Sequence, residues 1–155
     1  DILREIDREE EYPYMVRTLA AAIVCSFFTV IFGGTIIDAL VAVISGISCY
    51  VLSIMFRKLN INSFIRCFFC CGLAALIALL ASSSIPGTSY DPIIIGTIML
   101  FVPGAAITNA IRDFLSGDML AGTARLMEAL LIAVGLACGA GVVLKVWEMT
   151  GGVLV

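Results

Sequence analysis

Residues able to do chemistry concentrate late in the chain, along Val102-Pro103-Gly104-Ala105-Ala106-Ile107-Thr108-Asn109-Ala110-Ile111-Arg112-Asp113. Pro103 has no amide proton and its ring clashes with the preceding turn, so a helix passing through it loses its bond to the Met99 carbonyl, while Gly104 lifts the restraint on backbone angles. A helix broken here restarts at about Gly104 with unpaired amides and the positive end of its dipole, an arrangement suited to a carboxylate. A tolerated proline kink is the alternative. Further along, Asn109, Arg112 and Asp113 have the i, i+3, i+4 spacing of one helical face, with the Thr108 hydroxyl beside them. Arg112 has the geometry to fork onto a carboxylate, Asn109 to donate or accept, and Asp113 to fix Arg112. For Arg112 and Asp113 the competing reading is a helix end that reaches interfacial water.

Glu128 is the only charged residue between Arg125 and Lys145. Burial and a neighbouring guanidinium act on it in opposite senses, which makes it a candidate for proton coupling. A plain i, i+3 pair with Arg125 is the alternative. Asp38 is a candidate external gate or proton acceptor, yet Thr35-Ile36-Ile37-Asp38 also has the form of a capping box that starts a helix. Gly135 and Gly139 form a G-x-x-x-G step, which predicts close helix packing. Cys67, Cys70 and Cys71 lie in an apolar run of a chain with no His, so they, like Cys25, Cys49 and Cys138, are expected to be buried packing residues rather than metal ligands. No metal or other cofactor is expected. Without His, and without a G-x-S-x-G or phosphate-cradling glycine loop, the sequence does not read as an enzyme.

The elements that must position these residues are hydrophobic. Of the 155 residues, 61% are apolar and 14% charged, against roughly 45–50% and 25% in a soluble domain. A chain this short has too little interior to hide so much apolar side chain, so the lipid bilayer is its solvent. Basic residues are scattered and the net charge is −3, which leaves no electrostatic footprint for nucleic acid.

The sequence therefore predicts an all-α polytopic membrane protein with five spans, at about residues 14–32, 36–56, 64–82, 92–114 and 126–147. The breaks between them are Gly33-Gly34, Arg57-Lys58-Leu59-Asn60, the stretch 82–90 and the stretch 115–122. Residues 1–13 read as a cytoplasmic pre-membrane helix, the tail of a longer segment, and 14–155 as the transmembrane domain. Arg17, Arg57, Lys58, Arg66, Arg112 and Arg125 all fall on one side of this topology, which predicts a cytoplasmic N-terminus and an external C-terminus. A second five-helix unit would insert upside down relative to this one. The chain accordingly reads as half of a ten-helix inverted-repeat transporter.

The stretch from Val102 to Asp113, continuing into Leu115-Ser116-Gly117-Asp118, Ala124-Arg125 and Glu128-Ala129-Leu130-Leu131, resembles the threonine/serine exporter family. Phe32-Gly33-Gly34-Thr35-Ile36-Ile37-Asp38 is similar to that family's first external turn. The resemblance extends over nearly the whole chain. It implies a bacterial inner-membrane exporter driven by an ion gradient, with five helices here and five in a partner unit. It also implies a cytoplasmic segment before the first span, of which only the tail, around Asp1 to Tyr12, is present. Relatives in this family include single-chain threonine and serine exporters and two-component systems linked to succinate export, and the lack of a second five-helix part favours the latter.

Together these readings predict ion-coupled export of a small amino acid or carboxylate by alternating access. Pro103, Gly104, Thr108, Asn109 and Arg112 would bind substrate, and Glu128, Asp113, Asp38 and Arg125 would serve coupling or gating. The expected partners are the bilayer, a second five-helix unit, the solute and, as a further option, another copy of the chain. A non-translocating scaffold subunit and a small channel are the rival readings.

Overall fold

The computed structural model describes residues 13–151. Apart from Pro13, the expected pre-membrane helix lies outside them. Six helices follow in order: α1 (Tyr14–Ile31), α2 (Ile36–Lys58), α3 (Ser63–Ser84), α4 (Tyr90–Ile98), α5 (Gly104–Leu115) and α6 (Met119–Met149). Four of them, α1, α2, α3 and α6, are long and apolar enough to cross a bilayer. The chain is a helical membrane protein.

The fourth expected span, 92–114, is two helices of 9 and 12 residues. Each falls short of the ~20 residues that cross hydrocarbon, so an uninterrupted fourth span is not what forms. The last expected span also starts earlier than its apolar run, at Met119 rather than 126. Asp118 is the reason. Its carboxylate accepts the amide of Ala121 at 3.0 Å and caps α6 seven residues upstream, directly after a turn at Gly117, whose φ of +83° suits glycine.

Small residues set how closely the helices meet. A Cβ on Gly46 would lie 2.7 Å from the Cys25 sulfur, and one on Gly96 2.9 Å from the Cys25 carbonyl, so α2 and α4 both press onto α1. The G-x-x-x-G step packs as expected: a Cβ on Gly135 would stand 3.0 Å from the Phe64 carbonyl, and one on Gly139 would collide with the Phe68 carbonyl of α3. Between α2 and α3, the Cys49 thiol donates to the Cys70 carbonyl at 3.2 Å and the Cys70 thiol to the Cys49 carbonyl at 3.6 Å.

Cys25, Cys49, Cys67, Cys70 and Cys71 are buried, but Cys138 is exposed. The α6 stripe that meets α3 runs through Gly135, Leu136, Gly139 and Ala140, and Cys138 lies off it.

The core sits where α4 is inserted among α1, α2 and α3, with Ile93, Ile94, Gly96 and Thr97 buried. The second half of the broken segment goes elsewhere. α5 packs against α6 and, among the described helices, makes no comparable contact with another. The interruption thus hands the chain from an inner helix cluster to an outer hairpin.

Candidate functional site

The interruption has a defined chemistry. After Ile98 the chain unwinds through tight turns, with the Leu100 amide on the Thr97 carbonyl at 3.3 Å and the Phe101 amide on the Ile98 carbonyl at 2.8 Å. Leu100 and Phe101 pack against the core and fix this joint in place. Pro103, at φ −80° and ψ 53°, ends it and stands as the N-cap of α5 without a capping side chain. Gly104 opens α5, as its sequence predicts. Its amide turns back to the Val102 carbonyl at 2.9 Å, whereas among the described residues the amides of Ala105 and Ala106 have no carbonyl partner. These are first-turn donors, which a helix cannot satisfy internally. A Cβ at Gly104 would meet nothing within 4 Å, so the approach to them is open.

Helix α5 is strongly two-faced. Pro103, Ala106, Ala110, Asp113 and Phe114 are buried or half-buried, while Gly104, Ala105, Thr108, Asn109 and Arg112 are exposed on one side and Ile107, Ile111 and Leu115 on the side next to it. Three of the expected binding side chains, Thr108, Asn109 and Arg112, therefore share the open face that follows the free amides. The Thr108 hydroxyl donates to the Gly104 carbonyl at 3.0 Å and keeps its lone pairs available. Facing hydrocarbon, such a surface would cost several kcal/mol.

The remaining expected residues are distributed differently. Asp113 does not fix Arg112. It belongs to the stripe turned toward α6, where its Oδ2 meets the Arg125 guanidinium at 3.2 Å. That oxygen is shut off from water and the contact is an ion pair without hydrogen-bond alignment. Arg125 is consequently engaged across the hairpin rather than with Glu128 one turn along. Glu128 is exposed and lines a groove of ≈ 480 Å³ with Asn62, Phe64, Leu131 and Ile132 among others, none of them from α5. The structure thus separates Glu128 from the polar face of α5 and sets it against the start of α3.

Asp38 is fully buried with both oxygens occupied. Oδ2 accepts the Thr35 amide at 2.8 Å and the Thr35 hydroxyl at 2.9 Å, the reciprocal half of a capping box. Oδ1 accepts the Ser89 amide at 3.1 Å, at the start of α4. This is the capping reading of the two that its spacing allows, extended by a tertiary bond.

One polar contact had no signal in the sequence. The Thr97 hydroxyl, one turn before the unwound joint, gives its proton to the Ile93 carbonyl at 2.8 Å and accepts from the Ser45 hydroxyl on α2 at 3.1 Å, both side chains being fully buried. It bolts the inner half of the broken segment to α2. A threonine and a serine separated by 52 positions carry no local pattern that would pair them.

The family described as "Putative threonine/serine exporter" matches residues 1–147. The chain belongs to the threonine/serine exporter family. A curated relative from Mycobacterium tuberculosis, "Probable threonine/serine exporter", is 25% identical over 133 residues, covering 86% of this chain and 25% of that protein. The chain therefore spans about a quarter of the length of the curated relative it matches. No solved structure matches it. The matched residues include the unwound joint, all of α5 and the α5–α6 ion pair.

Proposed function

We propose that the chain forms the substrate-binding half of a threonine/serine exporter, with α4 and α5 together making a fifth, interrupted crossing of the membrane. The solute carboxylate binds at the free amides of Ala105 and Ala106, beyond Pro103 and Gly104, where the α5 dipole is positive. Thr108 and Asn109 address its remaining polar groups, and Arg112 supplies a cation further along the same face. Small dicarboxylates such as succinate fit the same donors and stand as the second substrate class.

The observation that carries this reading is the open polar face of α5 directly after the interruption. Hydrocarbon does not tolerate that face, so it lines a watered path or is covered by another part of the transporter. A second five-helix unit, inverted relative to this one, fits that requirement, and the solute path then runs between the halves as they alternate in access. Glu128, in its groove against α3, serves ion coupling, and the Asp113–Arg125 pair gates by holding α5 to α6. The distribution of Lys and Arg supports a bacterial inner-membrane protein with its N-terminus in the cytoplasm and its C-terminus outside.

Counterflow of labelled threonine, serine and succinate decides the matter, in vesicles carrying the chain together with the rest of its transporter. Asn109→Ala should abolish flux of the true substrate and Cys70→Ser should leave it intact. Undiminished flux in Asn109→Ala removes the site from α5. Flux that never depends on this chain makes it a scaffold.

A further inference from the structure

At the opposite end of α2 from Asp38, the chain reverses through Leu59–Asn62, with Asn60 at φ 53°, a left-handed conformation that asparagine tolerates better than most residues. The reversal sets the last turns of α2 beside the first turn of α3. Tyr50, Ser53 and Arg57, spaced i, i+3 and i+7 on one face of α2, then close a small cavity of ≈ 150 Å³ with Ile54 and with Arg66 of α3. Its wall is two guanidinium groups, a phenol and a hydroxyl, with no carboxylate.

Two like charges on so small a cavity repel, and an anion between them reverses the sign of that interaction. Among the described residues the ion pairs are Asp113–Arg125 and Lys145–Glu148, so neither Arg57 nor Arg66 is spent on a carboxylate there. Arg66 donates one N–H to Ser63 at 3.3 Å, which orients the guanidinium and leaves its other donors for a ligand. The N-terminus of α3 adds positive potential at the same place. Lys58, although adjacent in sequence, is turned to α1, its ammonium 5.7 Å from the centre of the Tyr14 ring.

We propose that Arg57, Arg66, Tyr50 and Ser53 form a phosphate-type oxyanion site between α2 and α3, at the membrane-interface end of the bundle. Paired arginines match the planar, multidentate geometry of a phosphate better than a single lysine does. Basic clefts between membrane helices hold anionic headgroups by this chemistry. A headgroup seated there would tie α2 to α3 at the end of the bundle away from the Asp38–Ser89 bond.

The test is lipid retention by the purified full chain, measured by native mass spectrometry after exchange from phosphatidylglycerol or phosphatidylcholine micelles, with thermal unfolding as the check on folding. Wild type should retain phosphatidylglycerol, and Arg57→Gln with Arg66→Gln should weaken that retention about tenfold or more, the loss expected for charge-assisted bonds. Lys58→Gln should match wild type. Should the arginine pair fail to fold, Tyr50→Phe, which deletes one hydroxyl, should still lower retention roughly threefold. Inorganic phosphate separates the sources: displacement of the lipid in wild type shows a site open to free oxyanions, and retention against phosphate shows one committed to a headgroup. Equal retention by wild type, the arginine pair and Tyr50→Phe overturns the proposal. So does an equal loss in Lys58→Gln, which would reduce the effect to general surface charge.

Discussion

The Oδ1 atom of Asp38 accepts the amide of Ser89 at 3.1 Å, joining the first turn of α2 to the N-cap of α4 across 51 residues of chain. The same carboxylate caps α2 through Thr35. One buried side chain thereby fixes where the inner half of the interrupted segment begins.

Replacing Asp38 by Ala should orphan the Thr35 and Ser89 amides together. Thr35 and Ser89 are themselves exposed, so water takes over part of both bonds, and thermal unfolding in detergent should show a loss of about 1–2 kcal/mol, the size of a lost N-cap. Asp38→Asn keeps one acceptor oxygen and should lose less. A transport defect in Asp38→Asn at unchanged stability would instead support a gating role.

The contact between α3 and α6 should respond to single methyl groups. Gly139→Ala places its Cβ against the Phe68 carbonyl, a backbone atom with no freedom to rotate away, and should cost about 1–3 kcal/mol as overpacking. Gly141→Ala, two residues on, meets nothing within 4 Å and should be neutral or slightly stabilising. Equal melting temperatures for the two variants would rule out this packing.

Breaking the pair between Asp113 and Arg125 should be mild. The Arg125 side chain is 47% exposed, so its solvation limits the pair to about 1 kcal/mol, even though Asp113 is 16% exposed with its paired oxygen shut off from water. A double-mutant cycle with Asp113→Asn and Arg125→Gln should return a coupling of that size. Exchanging the two charges should restore part of it. Zero coupling would mean that packing holds the α5–α6 hairpin without the pair, as where the Phe114 ring lies so close to Gly122 that a Cβ there would stand 2.8 Å from it.

Solvent access along α5 can be read chemically. In a Cys138→Ser background, single cysteines at Thr108 and Asn109 should react with a membrane-impermeant maleimide, and a cysteine at Ala110, which faces α6 and is fully buried, should not. Protection of Thr108 and Asn109 by added threonine would mark the solute path. Uniform inertness of all three would place the polar face against protein or lipid.

The sequence carried the helices and their breaks through local signals: long apolar runs, each with one arginine near its start, for α1 and α3, a Thr-x-x-Asp box at the head of α2, and Pro103-Gly104 at the start of α5. It also carried the Gly135 and Gly139 contact, because small residues four apart mark a helix surface meant for another helix. Partners across the fold were not legible. Asp113 sits as close in sequence to Arg112 as an ion pair could want, yet helical rotation turns one toward α6 and the other outward. Glu128 has a basic neighbour one turn away, but the hairpin draws Arg125 to α5. Both choices depend on which face of α5 meets α6, and that follows from the joint at residues 99–103.

Helix α6 has 31 residues and is about 46 Å long, against hydrocarbon roughly 30 Å deep. Such a rod must either lean or project, and the thickness of the surrounding lipid sets how far. Because α5, among the described helices, packs chiefly against α6, a change of lean carries the free amides at the head of α5 with it, while α4 stays anchored among its three neighbours. Acyl-chain length thus becomes a mechanical input to the joint, and flux compared across vesicles of graded chain length would read it out.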